Sequence, residues 1–245
     1  CATGVLNVNR FGFPTLLLKI ALFFLAALWL LLNRVDNRGY DYPLVRVKYG
    51  LLLALAPLAL LEGAVQTRFF LGLEPEVITS CCGSLFSAAG QGVAAELASL
   101  PARPALVLFY AMAGLLLVMG LAFRRWPRLG PMFAAVNLLT FIVAIAGIVA
   151  FLSLYVYENP NHHCPFCLLK AGYDYVGYAL YLPLFAATAA GMGAGIIAPF
   201  RRIVSLQATI PGEMRHLTGL ALTGFGVFYG LATWLILRSN LILLG

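Results

Sequence analysis

Apolar runs of about 17 residues or more recur six times along the chain, long enough to cross the hydrocarbon of a bilayer as helices. They run Pro14–Leu32, Tyr49–Val65, Pro104–Phe123, Met132–Tyr155, Cys167–Phe200 and Leu217–Leu237. The polar intervals between them read as loops. Arg34–Arg46 is rich in Asn, Asp and Arg, Arg124–Arg128 is a tight turn carrying Trp126, and Asn159-Pro160-Asn161 is a short turn. Gln66–Arg103 is the longest interval, and within it Ser84–Leu100 has a helix-compatible pattern of small residues that suits a short surface helix. The fifth run is too long for one straight span, so Gly191, Gly193 and Gly195 are expected to mark where it bends or leaves the bilayer. The GxxxG-like spacings of the last two runs read as close helix packing. The expected fold is all-α, a polytopic transmembrane bundle of about six spans in a single domain, 1–245.

Composition agrees. The chain is 62% hydrophobic and 10% charged, where a soluble domain carries roughly 25% charged residues. Lipid is therefore its main solvent, and the bilayer its first partner. A formal net charge of +7 would suit nucleic acid, but the distribution argues for membrane insertion and against a nucleic-acid partner. Ten of the 16 basic residues follow the first, third and fifth spans: Arg34, Arg38, Arg46, Lys48, Arg124, Arg125, Arg128, Arg201, Arg202 and Arg215. Arg10, Arg68, Arg103, Lys170 and Arg238 fall towards the other face, and Lys19 lies inside the first span. Basic loops stay cytoplasmic, which places both termini, Glu74, Glu76, Glu96, Glu158 and every cysteine outside. The chain opens on Cys1, and an outward Cys1-Ala2-Thr3-Gly4 is what lipoprotein processing leaves; a chain cut short is the other explanation.

Chemistry concentrates at that outer boundary. Cys164-Pro165-Phe166-Cys167 is expected to open the fifth helix, with Pro165 at a helix-start position. A C-x-x-C brings two thiols within bridging range, and a helix N-terminus favours the reactive thiolate. One thiol, exposed, would attack, and the other, buried, would resolve. Lys170 and Asp174 continue the face of Cys167 at i+3 and i+7, either as a thiolate-stabilising pair or as a snorkelling Lys with its structural partner. Tyr173, Tyr175, Tyr178 and Tyr181 would line a ring-shaped ligand or serve as interfacial packing. Cys81 and Cys82, in the longest loop, form a vicinal pair whose own bridge would be strained and easily reduced. His162 and His163 precede the C-x-x-C. With Cys81, Cys82, Cys164 and Cys167 they make a ligand set suited to zinc, copper(I) or an iron–sulfur cluster. Alternatively they tune the thiols.

With Ser80-Cys81-Cys82-Gly83-Ser84-Leu85-Phe86-Ser87 in the loop and Cys164-Pro165-Phe166-Cys167-Leu168 at the boundary, the chain resembles the vitamin K epoxide reductase family, especially its bacterial disulfide-forming members. The resemblance covers a core of roughly 48–200, flanked by extra helices in 1–47 and 201–245. It implies that Cys164 and Cys167 face a quinone, that Cys81 and Cys82 carry electrons from substrate thiols, and that Ser87 is a polar contact on the quinone side. The family's loop cysteines are separated by several residues, whereas these are adjacent. The expected function is a thiol–disulfide oxidoreductase of the bacterial inner membrane, needing no metal. It would couple a periplasmic thiol protein, such as a thioredoxin-like carrier, to a quinone cofactor. The rival readings are a metal-handling membrane protein built on the Cys/His cluster and a structural subunit of a larger membrane complex.

Overall fold

The computed structural model describes residues 2–6, 8–73, 100–241 and 243, and every described regular element is helical. A short helix α1 (Ala2–Leu6) precedes α2 (Gly12–Asp36), α3 (Val45–Leu71) and α4 (Ala102–Arg125). A turn of 3₁₀ helix at Pro127–Leu129 leads into α5 (Gly130–Gly147), which continues through a π-helical turn, Ile148–Leu152, and a last α segment, Ser153–Tyr157. Then follow α6 (Val176–Ile197) and α7 (Ile210–Arg238). Among the described residues, six helices are long and apolar enough to cross a membrane, so this is a multi-pass helical membrane protein. Cys1, Cys81, Cys82, Ser87 and most of the expected surface helix in Ser84–Leu100 lie outside the described residues.

α6 is the centre of the bundle, packing chiefly on α7 and α5 and also on α2, while α4 packs on α5 and α7. α3 rests on α2 and is otherwise turned outward. Phe109, Phe123, Phe133, Phe151, Phe225 and Phe228 are fully buried and fill the core. The three glycines of the fifth span do not bend it. They lie within one continuous α-helix and let neighbours approach its backbone. A Cβ on Gly191 would stand 1.8 Å from Asn137 Oδ1, and one on Gly195 2.3 Å from the Gly130 carbonyl oxygen. Backbone contact between α5 and α6 leaves no room for a side chain, which is the packing role the GxxxG-like spacing predicts.

The other departure concerns the start of that span. α6 begins at Val176, nine residues after Cys167, and Cys164 and Cys167 sit in the connection before it. Cys167–Leu169 and Ala171–Tyr173 are single 3₁₀ turns, separated by Lys170 in an extended conformation. Asp174 and Tyr175 then adopt left-handed conformations, with φ of 52° and 53°, which L-residues with side chains enter at a cost. Leu168, fully buried, folds the first turn back onto the bundle. Gly177 makes that possible, because a Cβ there would meet the Leu168 carbonyl carbon at 2.9 Å. The apolar Cys-Leu-Leu run is therefore a buried anchor and not the first turn of a helix.

Successive long helices alternate in direction, so the chain has two ends. The cysteine connection shares one end with the start of α2 and the close of α3, α5 and α7. Asn9 ties that end together by donating to the carbonyls of Phe69 and Gly72, at 3.0 and 3.1 Å. Glu158, in a left-handed conformation past the close of α5, accepts from the backbone and side-chain nitrogens of Asn240 at 2.9 and 3.1 Å. At the opposite end, buried Asp36 accepts from the Leu44 amide at 2.7 Å and pairs with Lys48 at 2.7 Å. Buried Glu213 holds Arg34 at 3.5 Å and also pairs with Arg38.

Candidate functional site

The π turn near the close of α5 is the base of the site. A π turn shifts the backbone hydrogen-bond register and is found often at functional sites. Here it presents Val149, whose side chain packs against Cys164 and Cys167. The Val149 carbonyl takes a contact from His163 Nδ1 at 2.9 Å. A carbonyl can only accept, so Nδ1 carries the proton in this arrangement. His163 is thereby turned to the backbone.

Two tyrosines hold the C-x-x-C connection from below. Tyr157 donates to the Cys164 carbonyl at 2.6 Å, and Tyr181, one and a half turns into α6, donates to the Pro165 carbonyl at 2.9 Å. These bonds satisfy carbonyls that a helix would otherwise have engaged. Both sulfurs are thiols and both residues are buried, Cys164 at 1% and Cys167 at 3% exposure. Neither is the exposed attacking thiol that the motif predicts. Phe13, Tyr157, Phe166 and Tyr173 close over them.

His162 completes the group. Its ring stacks on Tyr157, with centroids 4.1 Å apart, and Tyr157 in turn packs on Tyr173 at 4.4 Å. A ring nitrogen of His162 and the sulfurs of Cys164 and Cys167 all lie within 4.8 Å of one another. His162 Nε2 is buried with no hydrogen-bond partner among the described residues. Burial, and then the nearby charges of His163 and Lys170, lower its pKa below the ordinary histidine value. A neutral imidazole beside two thiols can accept a thiol proton or ligate a metal.

Of the residues singled out by sequence, then, the structure unites His162, Cys164 and Cys167, with Tyr173 against them. His163 is adjacent but engaged with Val149. Lys170 and Asp174 do not share a helical face with Cys167, because the backbone is extended at the first and left-handed at the second. Both are exposed, and no ion pair joins them among the described residues. Tyr175 and Tyr178 are exposed, while Tyr181 supports the turn. Sequence reasoning missed Tyr157 and Val149, whose roles come from the π turn and carry no motif. On the far side of Tyr173 lies an open cavity of about 550 Å3, lined by Tyr155, Glu158, Tyr173, Asp174, Tyr175 and Trp234, among others. Three residues with left-handed backbones, Glu158, Asp174 and Tyr175, border it.

Compared with known proteins, the chain matches no family model, no curated protein and no solved structure.

Proposed function

We propose that the protein is a membrane thiol–disulfide oxidoreductase in which Cys164 and Cys167 form the redox dithiol. The observation carrying this reading is the buried grouping of both thiols with His162, whose buried Nε2 has no hydrogen-bond partner among the described residues, at one end of the bundle. In the oxidised state, a substrate thiolate attacks one sulfur of the Cys164–Cys167 disulfide. A second substrate thiol then displaces the mixed disulfide, leaving the substrate oxidised and the pair reduced. Re-oxidation passes two electrons and two protons from Cys164 and Cys167 to a quinone, giving the quinol and restoring the disulfide. In this reading His162 takes the thiol proton in this step, and Tyr173, which borders the cavity beside the site, faces the acceptor ring. Because both thiols are buried, a protein substrate reaches them through Cys81 and Cys82, the donor pair that the resemblance to the vitamin K epoxide reductase family implies. The same reading places the protein in a bacterial inner membrane with the dithiol end outward and a periplasmic thiol protein as the electron donor.

A second reading is favoured by the orphaned Nε2 together with the 4.8 Å grouping. Tetrahedral zinc with bonds of about 2.3 Å to sulfur and 2.0 Å to nitrogen would draw His162, Cys164 and Cys167 only slightly closer together. Zinc, copper(I) or an iron centre held there would make the protein a metal-handling one.

Cys167→Ser separates the two. In the redox reading it abolishes quinone-linked thiol oxidation, since one thiol cannot complete a two-electron cycle. The purified wild-type protein then gives a two-electron titration with no stoichiometric metal. One equivalent of zinc, copper or iron in active protein, lost in Cys167→Ser, would transfer the assignment to the metal reading.

A further inference from the structure

At the end of the bundle opposite the dithiol, the close of α4, the 3₁₀ turn that follows it, the 3₁₀ segment Ala198–Arg202 after α6 and the start of α7 surround a cavity of about 130 Å3. Its charged lining is Arg124, Arg201 and Arg215, and no acidic residue among the described residues contributes to it. Glu213, two residues from Arg215, is already engaged with Arg34 and Arg38, and Asp36 at the same end of the bundle with Lys48. Arg201, half-buried, spends one donor on the Ala198 carbonyl at 2.8 Å, and Arg215 one on the Pro211 carbonyl at 3.3 Å. A guanidinium has five N–H donors, so each retains several for a ligand. The floor is apolar, made by buried Phe123 and Met214 with Pro127 and Pro211.

Insertion signalling accounts for basic residues at this end in general, but not for three of them bordering one cavity, Arg201 half-buried and Arg124 and Arg215 exposed. Three cations around a small space favour a compact anion with several acceptor oxygens, and guanidinium forks match phosphate best. An apolar floor at the edge of the hydrocarbon then suits a phosphate that arrives on a lipid. We propose that this cavity binds a phosphate anion, presented either by the headgroup of an anionic phospholipid or by a soluble phosphate. The site depends on nothing at the dithiol end.

The test uses the full-length protein in neutral detergent, with bound lipid counted by native mass spectrometry. Phosphatidylglycerol is expected to bind about tenfold more tightly than phosphatidylcholine, and Arg124→Gln with Arg215→Gln should remove that preference. Arg215→Lys, which keeps the charge and loses the fork, should fall between. Arg125→Gln removes a charge from the same end without touching the cavity and should leave the preference intact. If inorganic phosphate displaces the lipid at equal concentration, the site stands and its ligand is the soluble anion. Equal binding of the two lipids by wild type, or an Arg125→Gln effect as large as that of the double variant, would overturn the proposal. Monodisperse elution of each variant separates loss of binding from loss of fold.

Discussion

Lys19 and Glu62 meet inside the span region, 2.7 Å apart, with Gln66 accepting from the same ammonium at 2.9 Å. Each lies several residues in from the dithiol end of its helix, so water does not set the strength of this pair. An ionisable side chain in hydrocarbon costs about 2–3 kcal/mol or more when alone, and its partner offsets that cost. Lys19→Met is therefore expected to destabilise by about 2–3 kcal/mol, because it leaves the Glu62 carboxylate unpaired in an apolar setting. Lys19→Met combined with Glu62→Leu should recover most of the loss. Thermal unfolding in detergent, run as a double-mutant cycle, checks this; additive losses would mean that the two side chains do not interact. At this scale the sequence was half legible. Lys19 was visible as a charge within a span, but Glu62 in the next span is matched to it only by the packing of α2 on α3. The dithiol was legible as a motif. Its attachment was not, because the bonds from Tyr157 and Tyr181 are to backbone carbonyls, which accept from any suitably placed hydroxyl and leave no trace in residue spacing.

Helices were predicted well wherever apolar length alone decides them, and less well where a polar connection looks apolar at its start. Cys167-Leu168-Leu169 reads as a helix opening, yet Leu168 is anchored in the core and the chain turns twice more before Val176. The physical cause lies downstream, in the left-handed Asp174–Tyr175 step and in the close approach at Gly177. The glycine-rich close of α6 shows the converse. The spacing signals contact, and the contact is backbone against helix, with Asn137 and Gly130 opposite. Gly191→Ala is thus expected to lower the melting temperature, since its Cβ meets the amide of Asn137, a fully buried residue. Gly226→Ala in α7 should do the opposite: nothing lies within 4 Å of its Cβ, and alanine gains up to about 1 kcal/mol over glycine in a helix interior. Equal effects of the two substitutions would show that helix propensity, and not the α5–α6 contact, governs these positions.

Across the whole molecule, most of the basic charge lies at the end opposite the dithiol. Arg34, Arg38, Lys48, Arg124, Arg201 and Arg215 gather at one end, and the dithiol lies at the other. If basic loops remain in the cytoplasm, the dithiol end faces outward, where a thiol-oxidising function needs it. Burial makes this orientation measurable. Cys164 and Cys167 are almost wholly enclosed, so a bulky, membrane-impermeant maleimide should not reach them in folded protein on either side. Any labelling of intact, reduced cells then reports on Cys1, Cys81 and Cys82, and Cys1→Ser leaves only the loop pair. The expected outcome is labelling of Cys81 or Cys82 in intact cells, with Cys164 and Cys167 modified only after denaturation. In the Cys167→Ser background, a mixed disulfide between Cys164 and one loop cysteine should accumulate, since a direct relay requires their Cα atoms to come within about 7 Å. Loop labelling seen only after permeabilisation would invert the molecule in the membrane and remove the periplasmic donor from the mechanism. Outward labelling without any trapped disulfide would keep the orientation and break the relay, leaving the buried pair to be reached by a movement of the Glu158–Tyr175 connection itself.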